Sequence, residues 1–422
     1  MKAKNIGKYT IYFIIACLLM IVMTSILSYF NKDKLSINTL KGNIKDIGKV
    51  SLVYTPNINK FSYEEVIISK NGIKNDTNPK SKIGNDYLNI DKKYSDFINN
   101  RGYEFVYKDN LNIGEAYTSI KSILEQENNK LNDCIKISNK DLKSGLEESF
   151  NINLKEADFK ENSWQTVFNK IYKGNLYMAV SETNLSDSKV NNICILKIDI
   201  KDKSYKLLSR FNLDLHNGYK QNIHEIKFSI GSKIYLEMLN NKSTNGNIEG
   251  YDNYSNFIVY DIEDNAFNIS NKFMDNLNQE KNANPKEMGL LSKTKLDYIV
   301  KNNKLNLIVT DMSNSVINLV YNIDSNDIKL ENYEILDFKV DYNNMSSGIR
   351  KVKLLDDKIY SISNIKDTLS GEKKGSKEVF DVIGTKPVKF QVFDIKRKKI
   401  LYEAELINGD ISLHDKLFFV AN

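Results

Sequence analysis

From about Val167 onward, apolar and polar residues alternate with period two over short runs, and the runs recur as one unit. Each copy opens on a short alternating strand, makes a tight polar turn and enters a second strand. The turns with their second strands read Lys173-Gly174-Asn175-Leu176-Tyr177, Gly231-Ser232-Lys233-Ile234-Tyr235, Asn302-Asn303-Lys304-Leu305-Asn306, Asp356-Asp357-Lys358-Ile359-Tyr360 and His414-Asp415-Lys416-Leu417-Phe418. Gly, Asn and Asp tolerate the positive φ that hairpin turns require, and the aliphatic and aromatic residues that follow suit a half-buried pleated surface. A third strand closes each copy on Ile198-Asp199-Ile200, Tyr260-Asp261-Ile262, Tyr321-Asn322-Ile323 or Phe393-Asp394-Ile395. The apolar pair shares one face, and the Asp or Asn between them is placed to accept bonds from the backbone of the next turn. A fourth strand follows, as at Tyr205–Leu208 and Ile400–Tyr402.

The equivalent positions Leu176, Ile234, Leu305, Ile359 and Leu417 lie 58, 71, 54 and 58 residues apart. The excess over a minimal four-stranded unit falls in the loops Ser181–Asn192, Asn240–Asn256 and Asn364–Lys389. The last copy has two strands, Asp410–Leu413 and Leu417–Val420, while Lys49–Tyr54 and Glu64–Ser69 supply two more near the other end of the chain. Joined, they would protect an otherwise open sheet edge. This four-stranded repeat, with strands from both ends completing one unit, resembles the β-propeller superfamily over about Gly48–Asn422. The resemblance implies an all-β domain of five to seven four-stranded blades. It points to no named subfamily, because Trp164 is the single tryptophan and no Gly-His…Trp-Asp signature occurs.

Between Tyr87 and Trp164 the repeat blurs. Tyr103–Lys108 and Cys134–Ser138 read as strands, but Ile113, Ala116, Tyr117, Ile120, Ile123 and Leu124 recur at helical spacing, and Asp141–Phe150 shows a weaker helical pattern. Residues 111–163 are therefore expected to hold a small, partly helical insertion.

Tyr9–Phe30 is uncharged for 22 residues, long enough as a helix to cross a bilayer. Lys2, Lys4 and Lys8 precede it and aromatic residues mark its ends, which orients the N-terminus to the cytoplasm. The expected organisation is a cytoplasmic tail (1–8), one transmembrane helix (9–30), a stalk (31–46) and an extracytoplasmic β-propeller domain (47–422). Ile14-Ile15-Ala16-Cys17 also resembles a bacterial lipobox, yet uncharged, mostly apolar residues continue to Phe30 where a lipoprotein would begin a polar tether. A cleaved signal peptide would have a shorter apolar core.

Composition changes this picture little. The chain carries 60 Lys and Arg against 54 Asp and Glu. Five Lys and one Asp fall in the first 34 residues, so the remainder holds 55 basic and 53 acidic groups and shows no electrostatic footprint for nucleic acid. Cys134 and Cys194 are the two cysteines outside the apolar stretch, and their spacing leaves one disulfide or two buried thiols open.

Recognisable chemistry is sparse. No Gly-x-Ser-x-Gly elbow, phosphate-binding loop or Cys-x-x-Cys is present, and the histidines are His216, His224 and His414. His216 and His224 are eight apart and read as solvent-exposed loop residues, while Asn241, Ser243, Asn245, Gly246 and Asp252 have calcium-loop offsets in which positions one, three and five lack carboxylates. No catalytic, cofactor or metal residues are assigned. Tyr251 and Tyr254, in the long 240–256 excursion, are the candidate ligand or partner contacts. The expectation is a non-catalytic binding or regulatory protein that meets an envelope protein or glycan and the lipid bilayer. A scaffold of a membrane complex, or a hydrolase using dispersed carboxylates, is the alternative.

Overall fold

The computed structural model describes residues 19–23, 36–54, 65–76, 81–83, 86–88, 97, 105–109, 116–127, 130–153, 163–184, 189–213, 219–244, 247–248, 253–271, 273–275, 293–311, 314–324, 326–340, 350–364, 388–407 and 417–421. Within them the chain is all-β, built of antiparallel sheets. It divides into two compact units, one of residues 1–79, 344–352 and 357–422, the other of 80–343 and 353–356.

The first unit holds β1 (Ser36–Lys41), a 3-10 turn (Ile44–Ile47), β2 (Val50–Tyr54), β3 (Glu65–Ser69), β4 (Gly72–Asp76), the first half of β25 (Arg350–Leu355), β26 (Lys358–Asn364), β27 (Val388–Asp394), β28 (Lys399–Ile407) and β29 (Leu417–Ala421). One sheet has the order β29-β2-β3-β4, with Val50 opposite Ala421 and Tyr54 opposite Leu417. The strands Lys49–Tyr54 and Leu417–Val420 thus meet as the sequence suggests. The two-plus-two division differs: β4 is an unforeseen third strand from the N-terminal side, and Asp410–Leu413 lies outside the described residues. The other sheet has the order β1-β28-β27-β26-β25. Ser36–Lys41, expected as part of a stalk, is instead a fifth strand on β28, because its backbone completes that strand's outer row of hydrogen bonds. The 3-10 turn is fastened by Asn43 and Asp46 in a reciprocal cap and by buried Ile47, whose carbonyl accepts the Tyr360 hydroxyl at 2.9 Å.

The larger unit contains a small hairpin, β5 (Ser81–Ile83) with β6 (Asp86–Leu88), and four sheets. They are β7 (Phe105–Asp109), β8 (Ala116–Glu127), β9 (Lys130–Asp141) and β10 (Glu147–Asn153); β11 (Ser163–Tyr172), β12 (Asn175–Asn184), β13 (Lys189–Asp199) and β14 (Ser204–Asn212); β15 (Tyr219–Ile230), β16 (Lys233–Thr244), β18 (Tyr254–Asp261) and β19 (Ala266–Ile269), with β17 (Asn247–Ile248) and β20 (Met274–Asp275) at the side; and β21 (Thr294–Lys301), β22 (Lys304–Thr310), β23 (Ser315–Asp324) and β24 (Asp327–Lys339).

The expected helical insertion at 111–163 is corrected by the first of these sheets. Ala116, Thr118 and Ile120 are buried at period two on β8, and Ile120, Ile135, Ile137 and Ile152 join one core cluster. Pairing with β9 along all of β8 satisfies the backbone in a way that a helix of these mixed residues would have to replace turn by turn. Asp141 ends β9 by accepting the Lys143 and Ser144 amides, so the 141–150 segment is a hairpin.

Turn chemistry follows the sequence closely. Lys173 and Gly174 have φ of 47° and 75°, and Asn302 and Asn303 have 52° and 57°, the mirror-image turns that match strand twist. Asp199 Oδ1 accepts the Lys201 and Asp202 amides at 3.0 Å each, Asp261 Oδ1 the Glu263 amide at 3.0 Å, and Asp394 Oδ1 the Arg397 amide at 2.9 Å.

Consecutive sheets of the larger unit pack face to face, and the second strands are buried on both sides. Leu176, Met178 and Val180 face the cluster shared with β8–β10, while Tyr177 and Ala179 face the one shared with β16 and β18. Ile234, Leu236 and Met238 repeat the first role, and Tyr235 looks the other way into the cluster with β22 and β23.

Candidate functional site

In three successive sheets the first strand is irregular opposite the same repeat position, four residues beyond Leu176, Ile234 and Leu305. The pairings shift between Thr166 and Phe168 (opposite Val180 and Ala179), between Ile223 and Lys227 (opposite Met238 and Leu236), and between Lys295 and Asp297 (opposite Val309 and Ile308). In β11 and β21 one residue is extra, the ordinary bulge. In β15 the three residues His224, Glu225 and Ile226 stand against the single residue Glu237.

Glu237 occupies a core register, one at which β12 has Ala179, β22 has Ile308 and β26 has Ile362, all buried. Its side chain is 0% exposed, that of Lys295 is 9% and that of His224 is 34%. The carboxylate replaces the lost ladder partner of the bulge: Glu237 Oε2 accepts the Ile226 amide at 3.0 Å. Lys295, from the next sheet, donates to Oε1 at 2.5 Å and Oε2 at 2.8 Å, and its Nζ also lies 2.7 Å from His224 Nδ1. His224 Nδ1 is 3.3 Å from Oε2. Tyr298 adds a second link from β21, its hydroxyl accepting the Lys227 amide at 3.1 Å and donating to the Lys227 carbonyl at 2.8 Å.

Burial is the largest influence on the Glu237 carboxyl and pushes its pKa up. The bonds from His224, Lys295 and the Ile226 amide together outweigh it, so the pKa lies below the ordinary carboxylate value. His224 Nδ1 faces both the Lys295 ammonium and Glu237 Oε2, accepting from the one or donating to the other as its tautomer dictates. The carboxylate and ammonium satisfy each other and the bulge, and His224 is the partly exposed member of the cluster. Such an arrangement can hold a partly exposed imidazole in one orientation. It offers no carboxylate lone pair positioned as a general base.

Further along the second strands, toward their variable connections, lies a polar layer. Glu182 is fully buried and accepts Arg210 Nε at 3.0 Å and Nη2 at 3.2 Å, together with Asn192 Nδ2 at 3.0 Å. In the next sheet Gln221 donates to Asn240 at 3.0 Å and Asn240 to Asn256 at 3.0 Å. In the third, the Thr310 hydroxyl donates to the Ser315 carbonyl at 3.2 Å. Burial, with Glu182 alongside, pushes the Cys194 thiol up to about 12. Cys134 and Cys194 are both buried, as thiols and not as a disulfide. In a Cys17→Ser background, thiol reagent at pH 8 should therefore label neither cysteine in the folded chain and both after unfolding; fast labelling of either in the native state would contradict the burial.

Tyr254 opens β18 as a half-buried residue, its carbonyl accepting Asn240 Nδ2 at 3.4 Å. Tyr251, His216 and His414 lie outside the described residues. His224, expected in a loop, is in the β15 bulge instead, drawn in by Lys295 and Glu237. Among the described residues no group of three His, Cys, Asp or Glu is placed to hold a metal ion, and no helix is long and apolar enough to cross a membrane; of the 9–30 stretch, only 19–23 is described.

No family model matches the chain, and no curated protein matches it. Among solved structures it is similar to an ACO/RPE65 chimera (TM-score 0.45, 6% identity, 92% of this chain and 96% of that one). It is also similar to the β-propeller domain of the Trilobed protease from Pyrococcus furiosus (TM-score 0.30, 11% identity, 71% of each chain) and to a periplasmic gluconolactonase from Pseudomonas aeruginosa (TM-score 0.32, 7% identity, 88% and 99%).

Proposed function

We propose that this chain is a membrane-anchored, extracytoplasmic β-propeller that binds an envelope partner or glycan without catalysis, the 9–30 segment serving as its anchor. The face-to-face stacking of four-stranded sheets supports the propeller reading. The observation that carries the binding reading is an asymmetry between the two ends of the four sheets whose first strands are β11, β15, β21 and β25. At one end the first two strands are joined by two-residue turns; at the other, the second-to-third connections run over 185–188, 245–253, 311–314 and 365–387. Variable connections on a constant frame are where binding residues are usually carried, and the Glu182 and Asn240 networks brace the frame beneath two of them. The self-neutralised Glu237 cluster favours binding over hydrolysis by dispersed carboxylates.

The test uses the full-length chain in detergent, incubated with isolated cell-wall and membrane fractions. Saturable binding to one fraction is expected, together with a loss of about tenfold or more in affinity when 245–253 is cut to the length of 185–188 or when Tyr251 and Tyr254 are both changed to Ala. Unchanged binding in both variants would reject these contacts. Release of sugar or peptide products would reject the non-catalytic reading.

A further inference from the structure

The outer edge of β24 is built to take another strand. At 13 residues β24 is the longest described strand, it ends its sheet, and no described strand pairs with its far side. Leu330, Tyr333 and Ile335 lie opposite Tyr321, Leu319 and Ile317 of β23, which are buried in the core. On β24 the same face is exposed, at 44%, 39% and 46% for the three residues, so an apolar ledge continues past the edge of the core.

One end of this edge already holds an amide. Asn271 Nδ2 donates to the Ile328 carbonyl at 3.0 Å and Asn271 Oδ1 accepts the Ile328 amide at 2.8 Å, the two bonds that a neighbouring strand would make. The chain also shows a fourth strand accepting a visitor, since β1 lies antiparallel on β28 from Ser36 opposite Ile407 to Lys41 opposite Glu403. Charge selects among visitors. β24 carries Asp327, Glu331, Glu334 and Asp337 against Lys329 and Lys339; Asp327 pairs with Lys329, and Glu331 with Lys304 of β22 at 2.7 Å, so a visiting cation shares Glu331 with Lys304. Charges and bulges also guard edges against pairing, and β24 has both; a guarded edge, however, has no use for three exposed apolar residues on one face.

We propose that β24, from Lys329 to Lys339, accepts an antiparallel extended segment of a protein partner in which aliphatic residues alternate with Lys or Arg. The aliphatic side chains cover Leu330, Tyr333 and Ile335, the cations lie beside Glu331 and Asp337, and the backbone extends the sheet. β24 and the 245–253 connection are different segments of the chain, so either assignment can fail alone.

The probe is a synthetic nine-residue peptide of alternating Val and Lys, titrated against the full-length chain by fluorescence anisotropy, with amide exchange as the map. Expected are saturable binding, slowed exchange in β24, and affinity at least tenfold weaker for Tyr333→Asp/Ile335→Asp, for Glu331→Lys/Asp337→Lys, and for a Val/Glu peptide. Both double variants replace exposed residues, and thermal melting checks that they remain folded. A peptide N-methylated on its edge-facing amides should not bind. Absence of binding, equal affinity for the double variants, or protection elsewhere than β24 overturns the proposal. Self-association lost in the same variants assigns the edge to a second copy and overturns it too.

Discussion

Lys295→Met should destabilise the larger unit by about 3–5 kcal/mol, because it strands the Glu237 carboxylate in the core with a bulge amide and an imidazole as its remaining partners. The companion variant makes the result diagnostic. Ala179, Ile308 and Ile362 hold the Glu237 register in other sheets, so Glu237→Ile combined with Lys295→Met should recover to within about 1–2 kcal/mol of the parent, the Ile226 amide being the group left unsatisfied. Urea unfolding followed through Trp164, the one tryptophan, reads both. If the double variant is as damaged as the single, the pair is more than a neutralised burial. The pH dependence has a definite sign. Glu237 has a folded pKa below its usual 4.5, so its contribution is complete above that value and is lost as pH falls through the folded pKa. The double variant should lack this part of the acid-side loss.

Gly42→Ala should cost about 2 kcal/mol or more and release β1 from β28. Gly42 has φ of 76°, and a Cβ there would overlap the Leu401 carbonyl oxygen, which belongs to the backbone and cannot move aside without disturbing β28. Amide exchange at Ser36–Lys41 should quicken in the variant, while the 3-10 turn, held by its own cap and by Tyr360, keeps more of its protection. Gly72→Ala is the control. Its φ of 103° is also unfavourable to a side chain, but its surroundings are open, so only the local backbone strain of about 1–2 kcal/mol applies. Equal effects at the two glycines would show that steric overlap with Leu401 contributes nothing.

Local rules made much of the frame legible. Positive-φ turn residues, and Asp199, Asp261 and Asp394 that close three of the third strands, act within a few residues of themselves, and the structure places them as their chemistry requires. The pairing of Lys49–Tyr54 with Leu417–Val420 followed from counting strands. Residues 111–163 misled because Ile113, Ala116, Tyr117, Ile120, Ile123 and Leu124 fit a helical stripe as well as the period-two face on which Ala116, Thr118 and Ile120 are buried. Pairing with β9 decided between them. The Glu237 cluster was missed for another reason: its cation is 58 residues away, and no local pattern announces it. A signal was nonetheless present, a carboxylate at a register filled elsewhere by Ala179, Ile308 and Ile362. Reading the repeats against one another for exceptions, rather than for agreement, would have found it.

The pairing of β2 with β29 also bears on biosynthesis. Val50–Tyr54 leaves the ribosome early and meets Leu417–Ala421 only after more than 350 further residues have been made. At about 5–20 residues per second, β2 waits roughly twenty to seventy seconds with one edge unpaired, far longer than a hairpin needs to form. During synthesis the unpaired edge of β2 is therefore open to proteases and to pairing with other nascent chains, and loss of a few residues around Phe419 would make that interval permanent.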